Sequence, residues 1–307
     1  MNGWTKSKGI PAGTIPGALV QDPTRPEVFH LGLMRPAGYL RSEDGGKSFF
    51  APGDGPGGSI GSLAVCPTAP RRLYAIHGNQ NRLALSDDFG KTWRDTAMRG
   101  FRTSCRPHSL QVVVDPGDAS RLSLLVMGAP EVLWRSNDAG ESWSRMDRGL
   151  SGRPTYATMV TGPMLAVTKR GVKVALLGGG RIARIAPGED RWRDSTPRSP
   201  KATAEWVTAD PYHPDRLWRT GHGRLWRSDD QARSWKRVGA FTDAAVVLCD
   251  TGKSGRLVLS RYSMPCWSDD DGKTWRDVAV EKAAIVAFAG ENLVTPTESG
   301  IFWRKPT

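Results

Sequence analysis

The side chains in this 307-residue sequence that could do chemistry are carboxylates, imidazoles and guanidiniums. Asp54, Glu131, Glu205, Asp243 and Glu298 are carboxylates spread along the chain. Two of them held ~5–9.5 Å apart would suit the acid and the nucleophile or base of glycoside hydrolysis. His77, His108 and His222 could converge on a metal ion, but their spacing forms no ligand motif and no metal is expected. His213, in Tyr212-His213-Pro214, reads as a turn residue. Asp269-Asp270-Asp271-Gly272 looks like the start of a calcium loop, yet Val280 stands where the twelfth-position Glu is required. Gly178-Gly179-Gly180 and Thr251-Gly252-Lys253-Ser254 both lack the full phosphate-loop pattern, and no cofactor is expected.

Five octets combine Ser, Asp and an aromatic ring: SEDGGKSF at 42–49, SDDFGKTW at 86–93, SNDAGESW at 136–143, SDDQARSW at 228–235 and SDDDGKTW at 268–275. The Asp two residues after the Ser can accept backbone N–H groups of its own turn. Gly two residues further supplies a positive φ at no steric cost. The aromatic opens an outgoing strand and buries a large face. These are the requirements of a hairpin turn with a packing anchor, so Asp44, Asp88, Asp138, Asp230 and Asp270 are assigned to structure.

The octets also expose the architecture. From Ser to Ser they lie 44, 50, 92 and 40 residues apart, and 92 is twice 46. Trp192 fills the gap, giving the anchors Phe49, Trp93, Trp143, Trp192, Trp235 and Trp275. A period of 40–50 residues is that of propeller blades, and the length accommodates about seven. Short apolar inner strands are expected at 18–20, 62–65, 110–114, 157–160, 206–208 and 245–248. Several are followed by a Pro turn (Asp22-Pro23, Cys66-Pro67, Asp115-Pro116, Asp210-Pro211). No window carries a 3.6-residue apolar stripe. The expectation is an all-β, seven-bladed propeller forming a single domain over 1–307. Its last blade would be completed by the N-terminal Gly3-Trp4-Thr5-Lys6, since an open ring would expose sheet edges.

The four cysteines, Cys66, Cys105, Cys249 and Cys266, show neither metal spacing nor a disulfide framework, and read as reduced thiols. No stretch approaches the ~18 apolar residues of a membrane span, and the N-terminus lacks the apolar core of a signal peptide. The chain therefore reads as cytoplasmic, or as secreted or periplasmic if a leader has been removed. Lys and Arg total 43 against 31 Asp and Glu, a formal charge of +12. That surplus suits an acidic protein surface, an anionic glycan or nucleic acid, or is a charge spread evenly over the surface. Nucleic acid ranks below the other partners, because Trp206 and Tyr262 are the main aromatics left over for base stacking.

The octets resemble Asp-box repeats, also called bacterial neuraminidase repeats, at the Ser, Asp, Gly and aromatic positions. Ala232 in place of Gly, Phe49 in place of Trp and the loss of Ser and Asp from the Trp192 copy depart from the pattern. Ala232 implies a strained or rearranged turn. The resemblance implies a propeller whose Asp boxes lie between third and fourth strands, opposite the usual ligand face. Its members include sialidases, xyloglucan-active glycosidases, sortilin-type receptors and photosystem II assembly factors, so fold does not fix function. On that opposite face the sequence places Arg35, His77, Arg102, Arg106, His108, Arg153, His222, Arg261 and Tyr262 as binding residues. The primary reading is a non-catalytic binding or assembly propeller that holds an acidic protein or anionic glycan. The alternative is a sialidase-type glycoside hydrolase. Resemblance would then make Tyr262 the nucleophile, paired with Glu205, with Asp54 as acid/base and with Arg35, Arg219 or Arg224, and Arg261 gripping a carboxylate. The Arg-Ile-Pro motif that usually opens sialidases is absent, since Arg35-Pro36 is not it. Xyloglucanases, also related, use two propellers.

Overall fold

Alternating apolar runs broken by Pro and Gly turns give strands throughout. The computed structural model describes residues 3–102, 110–126, 133–150, 164–177, 181–196, 206–261, 264–279, 287–297 and 300–306, and contains no helix among them. The strands form seven antiparallel sheets arranged as the blades of a propeller. Blade 1 holds Ile15–Gln21, Phe29–Arg35 and Gly38–Ser42. Blade 2 runs Ile60–Cys66, Ala69–His77, Arg82–Ser86 and Arg94–Asp95 from the centre outwards. Blade 3 repeats this order with Leu110–Asp115, Asp118–Val126, Leu133–Ser136 and Ser144–Arg145. Blade 4 has Leu165–Val167, Lys173–Leu177, Arg181–Ile185 and Arg193–Asp194. Blade 5 has Trp206–Ala209, Leu217–Gly221, Arg224–Ser228 and Lys236–Val238. Blade 6 has Ala244–Cys249, Leu257–Arg261, Cys266–Ser268 and Arg276–Asp277. In blade 7, Ala287–Ala289, Asn292–Thr297 and Gly300–Arg304 are completed by Thr5–Lys6.

The inner strands of blades 1 to 6 stand beside one another in chain order. Apolar clusters fill the space between neighbouring blades, including blades 6 and 7 (Trp4, Val258, Trp267, Phe288) and blades 7 and 1 (Phe29, Leu31, Val294, Ile301). Each such fully buried side chain contributes roughly 1.5–3 kcal/mol. At the outer edge the last strands are two or three residues long and carry exposed charge: Arg94-Asp95, Arg193-Asp194, Lys236-Arg237 and Arg276-Asp277. Short charged edges discourage pairing with other chains.

The N-terminal segment does more than complete blade 7. Thr5 pairs with Trp303 and Lys6 with Phe302. Trp4, 8% exposed, donates its indole N–H to the Ala279 carbonyl at 2.7 Å. Lys8 then bonds both Lys47 and Phe49 on blade 1, whose own fourth strand is reduced to the Arg41–Phe50 bridge. Gly9 makes this possible, because a Cβ there would lie 1.9 Å from the Phe49 carbonyl oxygen.

Two expectations are corrected. The inner strand of blade 4 is Leu165–Val167, whereas the expected 157–160 lies outside the described residues. The Met164–Val167 apolar run directly precedes the Thr168–Gly171 turn and pairs with Lys173–Leu177. Trp206 is no exposed stacker: it is 2% exposed and packs with Trp218 and Val246. Cys66 and Cys266 are buried free thiols and Cys249 is a half-buried one, while Cys105 lies outside the described residues.

All five octets fold alike. In the second, Ser86 Oγ accepts the Gly90 N–H at 2.9 Å and donates to Asp88 Oδ1 at 2.8 Å. Asp88 then accepts Thr92 N–H at 2.9 Å and Thr92 Oγ–H at 2.6 Å. Asp44, Asp138, Asp230 and Asp270 repeat these bonds. Two successive residues in each turn have positive φ, as at Phe89 (61°) and Gly90 (81°). Ala232 keeps the turn with φ of 62° and the usual N–H bond to Ser228 Oγ, so the turn is strained and not rearranged.

Candidate functional site

An antiparallel blade sends its third-to-fourth-strand turn and its second-to-third-strand turn to opposite ends. The octets and the first-to-second-strand turns therefore share one face of the ring. The other face takes the second-to-third hairpins and the segments linking blades. On the octet face Asp44, Asp88, Asp138, Asp230 and Asp270 are committed to turns. Desolvation pushes Asp88 up, but hydrogen bonds from Thr92 and Ser86 outweigh it and hold Asp88 down at about 2. Asp22 and Asp210 each accept two backbone N–H groups of the following turn.

That face also gathers Asp210, His213 and Asp271 within ligand distance of one another. Arg216 Nη1 stands among them, 2.9 Å from Asp271, 3.2 Å from His213 Nδ1 and 3.7 Å from Asp210. The guanidinium supplies the positive charge this cluster calls for.

On the opposite face, second-to-third hairpins of blades 1, 2, 4, 5 and 6 begin or end with Arg or His: Arg35, His77, Arg82, Arg181, Arg224 and Arg261. Arg35 and Arg224 are exposed, as is Arg102 on the segment leaving blade 2. None of the three has an acidic partner among the described residues. His222 is exposed at the tip of a hairpin with φ of 52°, next to Gly223, whose Cβ would lie 1.8 Å from the Thr242 carbonyl oxygen. Arg106, His108, Arg153, Tyr262 and Glu205 lie outside the described residues, as do Glu131 and Glu298. Asp54 is exposed on the segment between blades 1 and 2.

His77 and Arg261 occupy the same place, the end of the second strand, in blades 2 and 6, and both reach an outer-strand Asp. His77 Nε2 lies 2.7 Å from Asp95 Oδ1, and Arg82 holds Asp95 Oδ2 at 2.8 Å. With Asp95 as a carboxylate, Nε2 carries the proton. Arg261 bonds Asp243 at 2.8 Å and Asp277 at 3.4 Å. Arg181 likewise holds Asp194 at 3.2 Å. Each of these carboxylates is thus occupied by a basic side chain of its own blade.

Arg219, a candidate carboxylate grip, is elsewhere. It is fully buried, and none of its three nitrogens has a hydrogen-bond partner among the described residues. Its Cζ lies 4.8 Å from the Trp226 ring centroid and 5.1 Å from that of Trp235. Burial pulls its pKa down to about 10. The Trp pair has a local cause. Trp93, Trp143 and Trp275 donate Nε1–H to their octet Gly carbonyl. In the Ala232 octet, Ser195 Oγ takes that carbonyl and Trp235 Nε1 has no partner among the described residues. The sequence signal for this cage was the coincidence of the Ala departure with a Trp-rich blade.

No family model matches the chain. Xyloglucanase Xgh74A of Acetivibrio thermocellus is 25% identical over 231 residues, 71% of this chain and 24% of that protein. The chain thus spans about a quarter of that relative's length. Among solved structures, YCF48 bound to D1 peptide superposes with a TM-score of 0.67 at 15% identity, over 100% of this chain and 96% of that one. The GH74 xyloglucanase from Xanthomonas campestris gives 0.62 at 20% identity, over 91% of this chain and 50% of that one. At such identities the likeness is one of fold: the seven-bladed propeller is shared with both a peptide-bound protein and glycosidases.

Proposed function

We propose that this chain is a non-catalytic binding or assembly propeller of the Asp-box kind, a single domain over 1–307. Its face opposite the octets holds an acidic segment of a partner protein. The observation that carries this reading is the row of Arg and His residues at the ends of the second-to-third hairpins. The described carboxylates contacting that row, Asp95, Asp194, Asp243 and Asp277, are each bound by one of its guanidiniums. Arg35, Arg102 and Arg224 are left to meet anions from outside. The similarity in fold to YCF48 bound to D1 peptide is consistent with a peptide-binding propeller.

A glycosidase is the second reading, favoured by the 25% identity to a xyloglucanase. Turnover of a fluorogenic sialoside and of a panel of aryl glycosides tests it. No turnover is expected; activity abolished by Tyr262→Phe would replace the binding reading with the enzymatic one.

A further inference from the structure

The anchor rings differ in what covers them. Trp143 meets Phe101, 6.3 Å between centroids at 62°, and Trp275 meets Phe241, 5.2 Å at 88°. Both phenylalanines come from the segment linking the preceding blade: Phe101 lies between Asp95 and Leu110, Phe241 between Val238 and Ala244. For Trp93 the corresponding segment is 51–59, and it brings Gly55, Pro56 and Gly57 with no ring. In place of a phenyl group there is a cleft of about 390 Å³, lined by Gly55, Pro56, Gly57, Trp93, Arg94 and Asp95. That volume lies at the small end of ligand-sized pockets.

The cleft is built by close approaches. A Cβ on Gly53 would sit 1.9 Å from the Lys91 carbonyl oxygen, and one on Gly58 would sit 3.1 Å from Gly78 Cα. These contacts pin the segment at both ends, while a Cβ on Gly57 would meet nothing within 4 Å. Among the described residues no hydrogen bond engages the backbone of Gly55 or Gly57, so both can bond an incoming chain. Tyr39 packs edge-on against Trp93, at 5.4 Å and 71°, and fixes the indole. The surrounding charge is mixed, with Asp95 in the lining and exposed Asp54 on the same segment. Arg82 and Arg94 are paired with Asp95 and Glu141, whereas exposed Lys91 has no acidic partner among the described residues.

We propose that this cleft is a second recognition site, which takes the ring of a Phe or Tyr flanked by an acidic residue in an extended segment of a partner protein. The molecule supplies the precedent twice: Phe101 and Phe241 show that a phenyl edge on the anchor indole is the complement this fold uses. Edge-to-face pairs add about 0.5–1.5 kcal/mol beyond area burial. Lys91 selects the acidic neighbour. The site adjoins the cationic row through Asp95, which His77 and Arg82 hold, but uses none of Arg35, Arg102 and Arg224.

The test follows the indole N–H resonance of Trp93, assigned with Trp93→Phe, during titration with acetyl-Glu-Phe-Gly-amide, its Leu analogue and methyl glucopyranoside. The Phe peptide should shift the resonance with a millimolar Kd. The Leu analogue should bind at least about fivefold more weakly, and the glucoside should leave Trp93 unmoved. Pro56→Phe, which fills the cleft from within, should abolish the response, and Lys91→Glu should weaken it at least about threefold. The Trp275 indole should not move in any titration. A Trp93 signal indifferent to the Phe peptide, or a response to the glucoside instead, overturns the proposal. So does a response that survives both Pro56→Phe and Lys91→Glu.

Discussion

His77 donates from Nε2 to Asp95 Oδ1 at 2.7 Å, the same second-strand-to-outer-strand link that Arg261 makes to Asp277 in blade 6. The His77 side chain is 5% exposed, so the bond ties the inner half of blade 2 to its edge. Asp95→Ala strips this partner from a buried imidazole and from Arg82, and should cost about 1.5–3 kcal/mol. Asp95→Asn, which keeps an acceptor, should cost less. Urea midpoints of the two variants check the order.

The octet aspartates make stability sensitive to acid. Asp88 is held down at about 2 from a usual 3.8, and Asp44, Asp138, Asp230 and Asp270 are lowered by the same kind of bonds. A carboxylate with a depressed folded-state pKa contributes its full stabilisation above the unfolded value and loses it as pH falls through the folded one. Stability should therefore decline from about pH 4 to about pH 2. Asp88→Asn should be the less stable protein at pH 7, by about 1 kcal/mol, and should show a shallower decline. Denaturant unfolding at pH 7, 4 and 3 measures both.

Glycine is needed unequally across the octets. A Cβ on Gly90 would lie 2.3 Å from Tyr39 Cε1 and 2.6 Å from Cζ, in a packed ring, whereas Ala232 is native at the same turn position. Gly90→Ala should cost more than about 2 kcal/mol. Ala232→Gly should range from neutral to about 1 kcal/mol stabilising, because relief of positive-φ strain offsets a lost methyl contact. Thermal melts of the pair decide it.

Arg219 tests the cost of a buried charge. Arg219→Met keeps the volume and removes the charge, and should be neutral or stabilising by up to about 3 kcal/mol. With its pKa pulled from 12.5 to about 10, the arginine's cost is full below pH 10 and declines above it. The stability gap between the variants should therefore narrow from pH 9 to pH 11. Urea midpoints at the two pH values measure the gap; a large loss in Arg219→Met at pH 7 would contradict the account.

Legibility in the sequence followed locality. The Ser-Asp-Gly-aromatic spacing specifies a turn whose bonds all lie within seven residues, so all five octets were readable. The closing strand was readable as well, because Gly3-Trp4-Thr5-Lys6 repeats the start of an outer strand. The inner strand of blade 4 was placed too early because the sequence offers two apolar runs, and pairing with Lys173–Leu177 identifies Leu165–Val167. The face proposed to carry the site followed from topology, but the pairings on it did not. His77 with Asp95, 18 residues apart, and Arg261 with Asp243 depend on which outer strand returns beneath which hairpin. Trp206 and Arg219 misled because a polar tip or a charge suggests exposure, while strand register placed both between blades.

The central claim concerns the face opposite the octets, and binding of a fluorescein-labelled acidic peptide, an alternating Glu-Gly repeat, addresses it most directly. Anisotropy would compare the parent protein, the triple variant Arg35→Glu, Arg102→Glu and Arg224→Glu, and a control with Arg71→Glu, Lys253→Glu and Arg233→Glu on the octet face. The account predicts saturable binding by the parent that weakens as salt rises from 50 to 300 mM, on the order of a tenfold or greater loss in the first triple variant, and near-parental binding in the control. Equal losses in both triple variants, or no loss in the first, would contradict it.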